Sequence, residues 1–178
     1  MRLFTAILLP DEIRECISSI CHGIPAVRWA KEDSLHLTLA FLGEIKTELF
    51  LDLAEALSEI KLSSFPIEVR GVGQFLNAKD INTLWAGINE NKNLTHLQNE
   101  ITHVVKKFGI ATEKRKYLPH ISIGKIRKAK MSEVRDYLDA FVDFKCEEFL
   151  TESFYLMSSK LYPEGPVHTI ERNYELVV

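Results

Sequence analysis

The chain has 178 residues, enough for one sizeable domain or for two small lobes that share a core. Its 46% hydrophobic residues exclude a disordered chain, and no apolar run approaches the roughly 20 residues that cross a bilayer. A net charge of −3 excludes a general basic coat for long nucleic acids, so any nucleic-acid chemistry belongs to a local site or a chain end.

The first ten residues carry one positive charge and a short apolar stretch but no small-residue cleavage site, and Asp11 and Glu12 follow at once. They read as a first strand over about 2–9 and not as a secretory leader, so the protein is expected in the cytoplasm. Pro10, Asp11 and Glu12 then open a helix over about 11–22, where acidic residues suit the positive end. A strand over 35–42 leads to a helix over 45–60, whose Leu49, Leu53, Ala56, Leu57 and Ile60 form one stripe. Strands follow at 65–76 and 83–88, then a helix over 91–107 with Gly109 as its expected C-cap. A strand at 118–126, a helix at 131–141 and strands at 149–158 and 167–177 complete the map. Cys16, Cys21 and Cys146 are an odd number without a CxxC pair, so reduced thiols are expected, with neither a disulfide framework nor a zinc knuckle. Lys114-Arg115-Lys116, followed by Lys125, Arg127, Lys128 and Lys130, is the one basic cluster. It reads either as a solvated face or as a contact for polyanions.

The order strand–helix–strand–helix–strand occurs twice. Setting His36 over His120 (120 − 36 = 84) lays Leu37-Thr38-Leu39 on Ile121-Ser122-Ile123 and Ala40 on Gly124. The same shift matches Leu53 to Tyr137, Leu57 to Phe141, Phe65 to Phe149 and Glu68 to Glu152. The leading strand and helix match at a shift of 81 (85 − 4), with Phe4 over Trp85, Ile7 over Ile88 and Ile13 over Leu94. A duplicated unit buries its apolar faces against its twin. The expected fold class is therefore α+β: a bilobal duplicated α/β unit, two sheets around a central cleft on a pseudo-twofold axis, and helices outside. No Pro/Gly/Ser-rich linker parts the halves, so 1–178 is expected to be a single compact domain.

Each copy carries a histidine and a hydroxyl two residues apart: His36 with Thr38, and His120 with Ser122. On a strand these share one face at about 6.6–6.8 Å. Leu35, Leu37, Leu39 and Phe41 are expected to point the other way, into the core. Displacement at a phosphodiester needs a base for the nucleophile and an acid for the leaving oxygen. Imidazole, with an ordinary pKa of about 6.5, supplies both near neutrality. The hydroxyls of Thr38 and Ser122 can donate to non-bridging phosphate oxygens. One such pair would read as a structural histidine; two at equivalent positions read as a site. Cysteine and carboxylate ligands are absent near both motifs apart from Glu32 and Asp33, so no metal is expected.

These segments carry a family resemblance. Met1-Arg2-Leu3-Phe4, Val27-Arg28-Trp29, Leu35 through Glu44, Leu118 through Ile123, and Ser158 or Ser159 with Gly165 resemble the two-histidine phosphoesterase superfamily. Within it, they resemble the prokaryotic RNA 2′,3′-cyclic phosphodiesterases once called 2′-5′ RNA ligases. The resemblance spans nearly the whole chain and is most specific from His36 to Glu44. It implies hydrolysis of RNA 2′,3′-cyclic phosphate ends to 2′-phosphate ends, without metal or cofactor. By analogy, His36 donates a proton to the departing 3′ oxygen and His120 is the base that activates water. Expected partners are RNA ends or nucleotides, with no membrane, no obligate protein partner and a monomeric state. The alternatives are 2′-5′ ligation, another diesterase activity on 2′-5′ or cyclic nucleotides, and a non-catalytic module that binds RNA ends.

Three departures from the family pattern stand out. Ser122-Ile123 replaces the usual threonine and leucine but keeps the hydroxyl. Lys125 replaces an arginine, keeping charge without the bidentate fork; strict alternation puts it on the core side, so a substrate-binding role needs a bulge. His168 stands where relatives often have tyrosine, and reads as an exposed histidine or a residue of the cleft rim. Tyr117 and Tyr162 are candidate stacking platforms or ordinary packing. Trp29 and Trp85 read as core or cleft wall, His22 as a helix-end residue, and His96 and His103 as solvent-facing.

Overall fold

Alternating apolar residues make strands and 3.6-spaced ones make helices, and the elements expected from those periods form in the expected order. The computed structural model describes residues 1–76, 81–163 and 165–177. The first repeat runs β1 (Arg2–Leu8), α1 (Asp11–Ser18), β2 (Val27–Trp29), a 3₁₀ turn (Glu32–Ser34), β3 (His36–Glu44), α2 (Thr47–Ser58), β4 (Phe65–Ile67) and β5 (Val69–Phe75). The second runs β6 (Ile81–Ile88), α3 (Lys92–Lys107), β7 (His120–Arg127), α4 (Met131–Ala140), β8 (Phe149–Thr151) and β9 (Ser153–Tyr162), and β10 (Gly165–Glu175) closes the chain. The short edge strand β2 is the one strand that apolar periodicity did not mark.

One four-stranded sheet has the order β10-β9-β1-β3 and the other the order β2-β7-β6-β5, all antiparallel. Each repeat's last strand crosses over: β5 pairs with β6 of the second repeat, and β9 pairs with β1 of the first. The expected continuous strands at 65–76 and 149–158 are therefore broken at Glu68 and Glu152, where the chain passes between sheets. Just before each break, β4 and β8 pair with each other, Phe65 with Thr151 and Ile67 with Phe149. The 84-residue shift exchanges these two pairs, so the pseudo-twofold axis passes between Pro66 and Leu150.

The helices cover the outer faces. Ile13 and Ile17 of α1, Leu53 and Leu57 of α2, Leu94, Leu97, Ile101 and Val105 of α3, and Val134 and Tyr137 of α4 are buried against the sheets. Each such large apolar side chain contributes roughly 1.5–3 kcal/mol. Two buried hydroxyls tie distant segments together: Tyr137 of α4 donates to the Ile20 carbonyl, just after α1, at 2.7 Å, and Tyr174 of β10 donates to the Ala54 carbonyl of α2 at 3.1 Å.

Three expectations are corrected. The leading strands match at a shift of 79 (85 − 6), because Ala6 pairs with Thr38 as Trp85 pairs with Ser122; only the helices keep 81. Phe41 is 56% exposed, because bulges in β3 leave Leu42, not Phe41, on the core side. Cys16 and Cys146 form a disulfide across 130 residues, with Cα atoms 6.1 Å apart. The fold brings α1 against the segment before β8, a proximity no local spacing could reveal. Cys21 stays free and half-buried, and burial pushes its thiol up to about 11.

Candidate active site

Both motif strands carry the same defect at the same place. Between the pairs Thr5–Ala40 and Ala6–Thr38, β3 has one extra residue, Leu39. Between Leu84–Gly124 and Trp85–Ser122, β7 has one extra residue, Ile123. Ahead of the bulge, alternation holds: Leu37, Leu39, Ile121 and Ile123 are buried, while His36, Thr38, His120 and Ser122 share the opposite, cleft-facing side. After it, the parity changes. Lys125 pairs with Thr83, which lies two residues before Trp85 and on its face, so Lys125 joins the face of Ser122 and is exposed. Phe41, its counterpart in the first repeat, pairs with Phe4 and joins the face of His36.

The two imidazoles are anchored alike. His36 Nδ1 lies 2.8 Å from the Ser34 carbonyl, and His120 Nδ1 lies 2.8 Å from the Leu118 carbonyl. A carbonyl only accepts, so each Nδ1 holds its proton as the donor and each Nε2 is left for the cleft. Ser34 and Leu118 are themselves related by the 84-residue shift.

Their surroundings differ. The His36 ring lies 5.2 Å from Phe4 and 5.2 Å, edge-on, from His168. Burial holds its pKa below the ordinary 6.5; the Ser34 carbonyl opposes this, while the charges of His168 and His120 reinforce it. His168, expected as exposed or at the rim, is half-buried against both rings, and burial lowers its pKa too. His120 instead meets Phe75 edge-on at 4.7 Å and Trp85 at 6.4 Å. Trp85 is thus cleft wall, its indole lying over Gly73, where any Cβ would collide with the ring. Phe75 was missed by the sequence reading; the closely spaced glycines Gly71 and Gly73 were the available sign of a close approach.

Tyr117 closes the seam between the motif strands. Its hydroxyl donates to the Thr38 carbonyl at 2.9 Å, and its ring packs on the main core, with burial raising its pKa. The exposed run Lys114-Arg115-Lys116 ends where Tyr117 enters this seam. Tyr162 is exposed, and alternation puts it on the face opposite His168. Trp29 packs on Tyr137, on the helix side, and His22 lies edge-on to Phe141. His96 and His103 are exposed, as expected. Among the described residues, no group of three or more His, Cys, Asp or Glu side chains is arranged to hold a metal ion.

The model of the family described as LigT like Phosphoesterase matches residues 7–85 and again residues 87–168, once per repeat. The RNA 2′,3′-cyclic phosphodiesterase of Archaeoglobus fulgidus is 33% identical, over 98% of this chain and 100% of that protein. Its namesake from Methanocaldococcus jannaschii is 28% identical, over 96% and 98%. A crystal structure of Escherichia coli LigT complexed with 3′-AMP aligns with a TM-score of 0.81 at 28% identity, covering 98% of this chain and 97% of that one. The chain belongs to the LigT-like phosphoesterases, a family of two-histidine phosphoesterases.

Proposed function

We propose that this chain hydrolyses RNA 2′,3′-cyclic phosphate ends to 2′-phosphate ends by acid–base catalysis, without a metal or cofactor. The observation that carries the reading is the matched pair of anchors, Ser34 for His36 and Leu118 for His120, which leaves each Nε2 available for proton transfer. His120 takes a proton from the attacking water, and His36 gives one to the departing 3′ oxygen. Thr38 and Ser122 donate to the non-bridging oxygens as charge builds there. Lys125 and the run 114–116 hold the phosphate backbone, and the exposed Phe41 ring offers a stacking surface for a base. His168 touches His36 and Tyr117 braces the seam, so neither is assigned a direct grip on substrate.

The names of the relatives from A. fulgidus and M. jannaschii support the substrate class. No helix among the described residues is long and apolar enough to cross a membrane. The reading further treats residues 1–178 as one domain and the protein as a monomer of the cytoplasm without an obligate protein partner. The test is to incubate the chain, with EDTA present, with an oligonucleotide ending in a 2′,3′-cyclic phosphate. A 2′-phosphate end is the expected product. A joined 2′-5′ product, or activity that returns only with a divalent ion, would contradict the proposal.

A further inference from the structure

Three rings form a near-equilateral cluster at one end of the catalytic pair. Phe4 and His168 lie 5.0 Å apart, Phe4 and His36 5.2 Å, and His36 and His168 5.2 Å. His168 belongs to β10 and His36 to β3, the two outermost strands of a four-stranded sheet, so they meet only because the sheet coils over its cleft face. His168 stands edge-on to both neighbours, at 73° to Phe4 and 78° to His36. Its Nδ1 is buried without a protein hydrogen-bond partner. The reaction described above uses two imidazoles and gives no work to this third one.

We propose that His168 is a positioning residue for His36: its ring fixes the His36 ring edge-on, and its closeness forbids both from being cationic together. The proposal rests on the reading that His36 exchanges a proton with substrate. Charging His168 would put a cation on a half-buried ring and an N–H at Nδ1 with no protein acceptor, which costs free energy. Charging His36 while His168 is charged would set two cations about one ring apart. Among the described residues packed around it, His120 on β7 is the further titratable group whose charge acts on His36; Phe4 on β1 and Ser159, the β9 partner of His168, are neutral. The empty site therefore keeps His36 neutral, and the anionic phosphate brings the charge that lets His36 take up its proton. His168 thereby links proton uptake to substrate arrival.

The test is an NMR titration of the His36 Cε1–H resonance in the full chain without substrate, for the wild type, His168→Gln and His168→Phe. Removing the third imidazole should raise the His36 midpoint in both variants, on the order of half a pH unit. In turnover of a cyclic-phosphate-ended oligonucleotide, the pH limb that reports His36 should move the same way. A midpoint unchanged in both folded variants would overturn the inference. A shifted midpoint in a protein whose wild type does not open the cyclic phosphate would leave the link between His168 and His36 standing and overturn the proposed reaction.

Discussion

Leu39 and Ile123, related by the 84-residue repeat, are each the extra residue of a bulge in their motif strand. The defect is common to both lobes, and the residue that it exposes is not. It turns the next residue of opposite parity toward the histidine face: an aromatic ring, Phe41, in the first lobe and an ammonium, Lys125, in the second. Each lobe then presents histidine, hydroxyl and one further contact at positions i, i+2 and i+5.

Lys125 shares the face of Ser122, and the exposed run 114–116 leads into Tyr117 at the seam between the motif strands. Neutralising Lys114, Arg115 and Lys116 together should raise KM and flatten its salt dependence, with kcat changed by no more than a few-fold. Lys125→Gln should act in the same direction. Steady-state kinetics over a salt series checks this, and a large fall in kcat at unchanged KM would place the cluster in the transition state.

Gly124 and Ala40 occupy equivalent positions in different neighbourhoods. β3 is an edge strand with no strand paired beyond Ala40, whereas β2 pairs with β7 at Gly124. A Cβ at Gly124 would stand 2.6 Å from Val27 Cγ1 and 3.1 Å from Trp29 Cε3. Gly124→Ala should therefore destabilise the fold by about 1–3 kcal/mol through overpacking. Urea unfolding measures it, and an unchanged midpoint would show that β2 is free to move aside.

His36 and His168 both have folded pKa values held below the ordinary 6.5, chiefly by burial. As pH falls, the unfolded chain takes up these protons before the folded one. The stability they contribute is complete above about pH 6.5 and is lost as pH falls from there toward the folded values. Melting temperatures recorded from pH 8 to 5 should fall on the acid side, and less so in the double variant His36→Gln, His168→Gln. Parallel curves would contradict the assignment.

The sequence made the motif strands legible because a period of two and a repeated residue pattern are local properties. Four helices, both histidine faces and the pairing of the repeats followed from them. The bulges did not, since one extra residue leaves no mark on composition, and so Phe41 was read as core. The shift of the leading strand was misjudged by two residues, an error that leaves every side chain on its proper face and the hydrophobic pattern unchanged. Contacts between distant segments were beyond any local reading. The approach of His168 to His36, the Cys16–Cys146 disulfide, the wall built by Phe75 and the exchange of β5 and β9 all depend on how the sheets close.

The central claim is that His36 and His120 act as one acid–base unit, and the most direct measurement is kcat for His36→Ala, His120→Ala and the double variant, with a melting curve for each. Each single change should lower kcat by on the order of 10²–10⁴. The double change should cost much less than the product of the two, because groups that act together are not additive. The melting curves should show all three variants folded, since among the described residues each imidazole hydrogen-bonds one carbonyl, two residues before it in the chain. Near-wild-type turnover in either folded single variant would remove that histidine from the reaction and contradict the account.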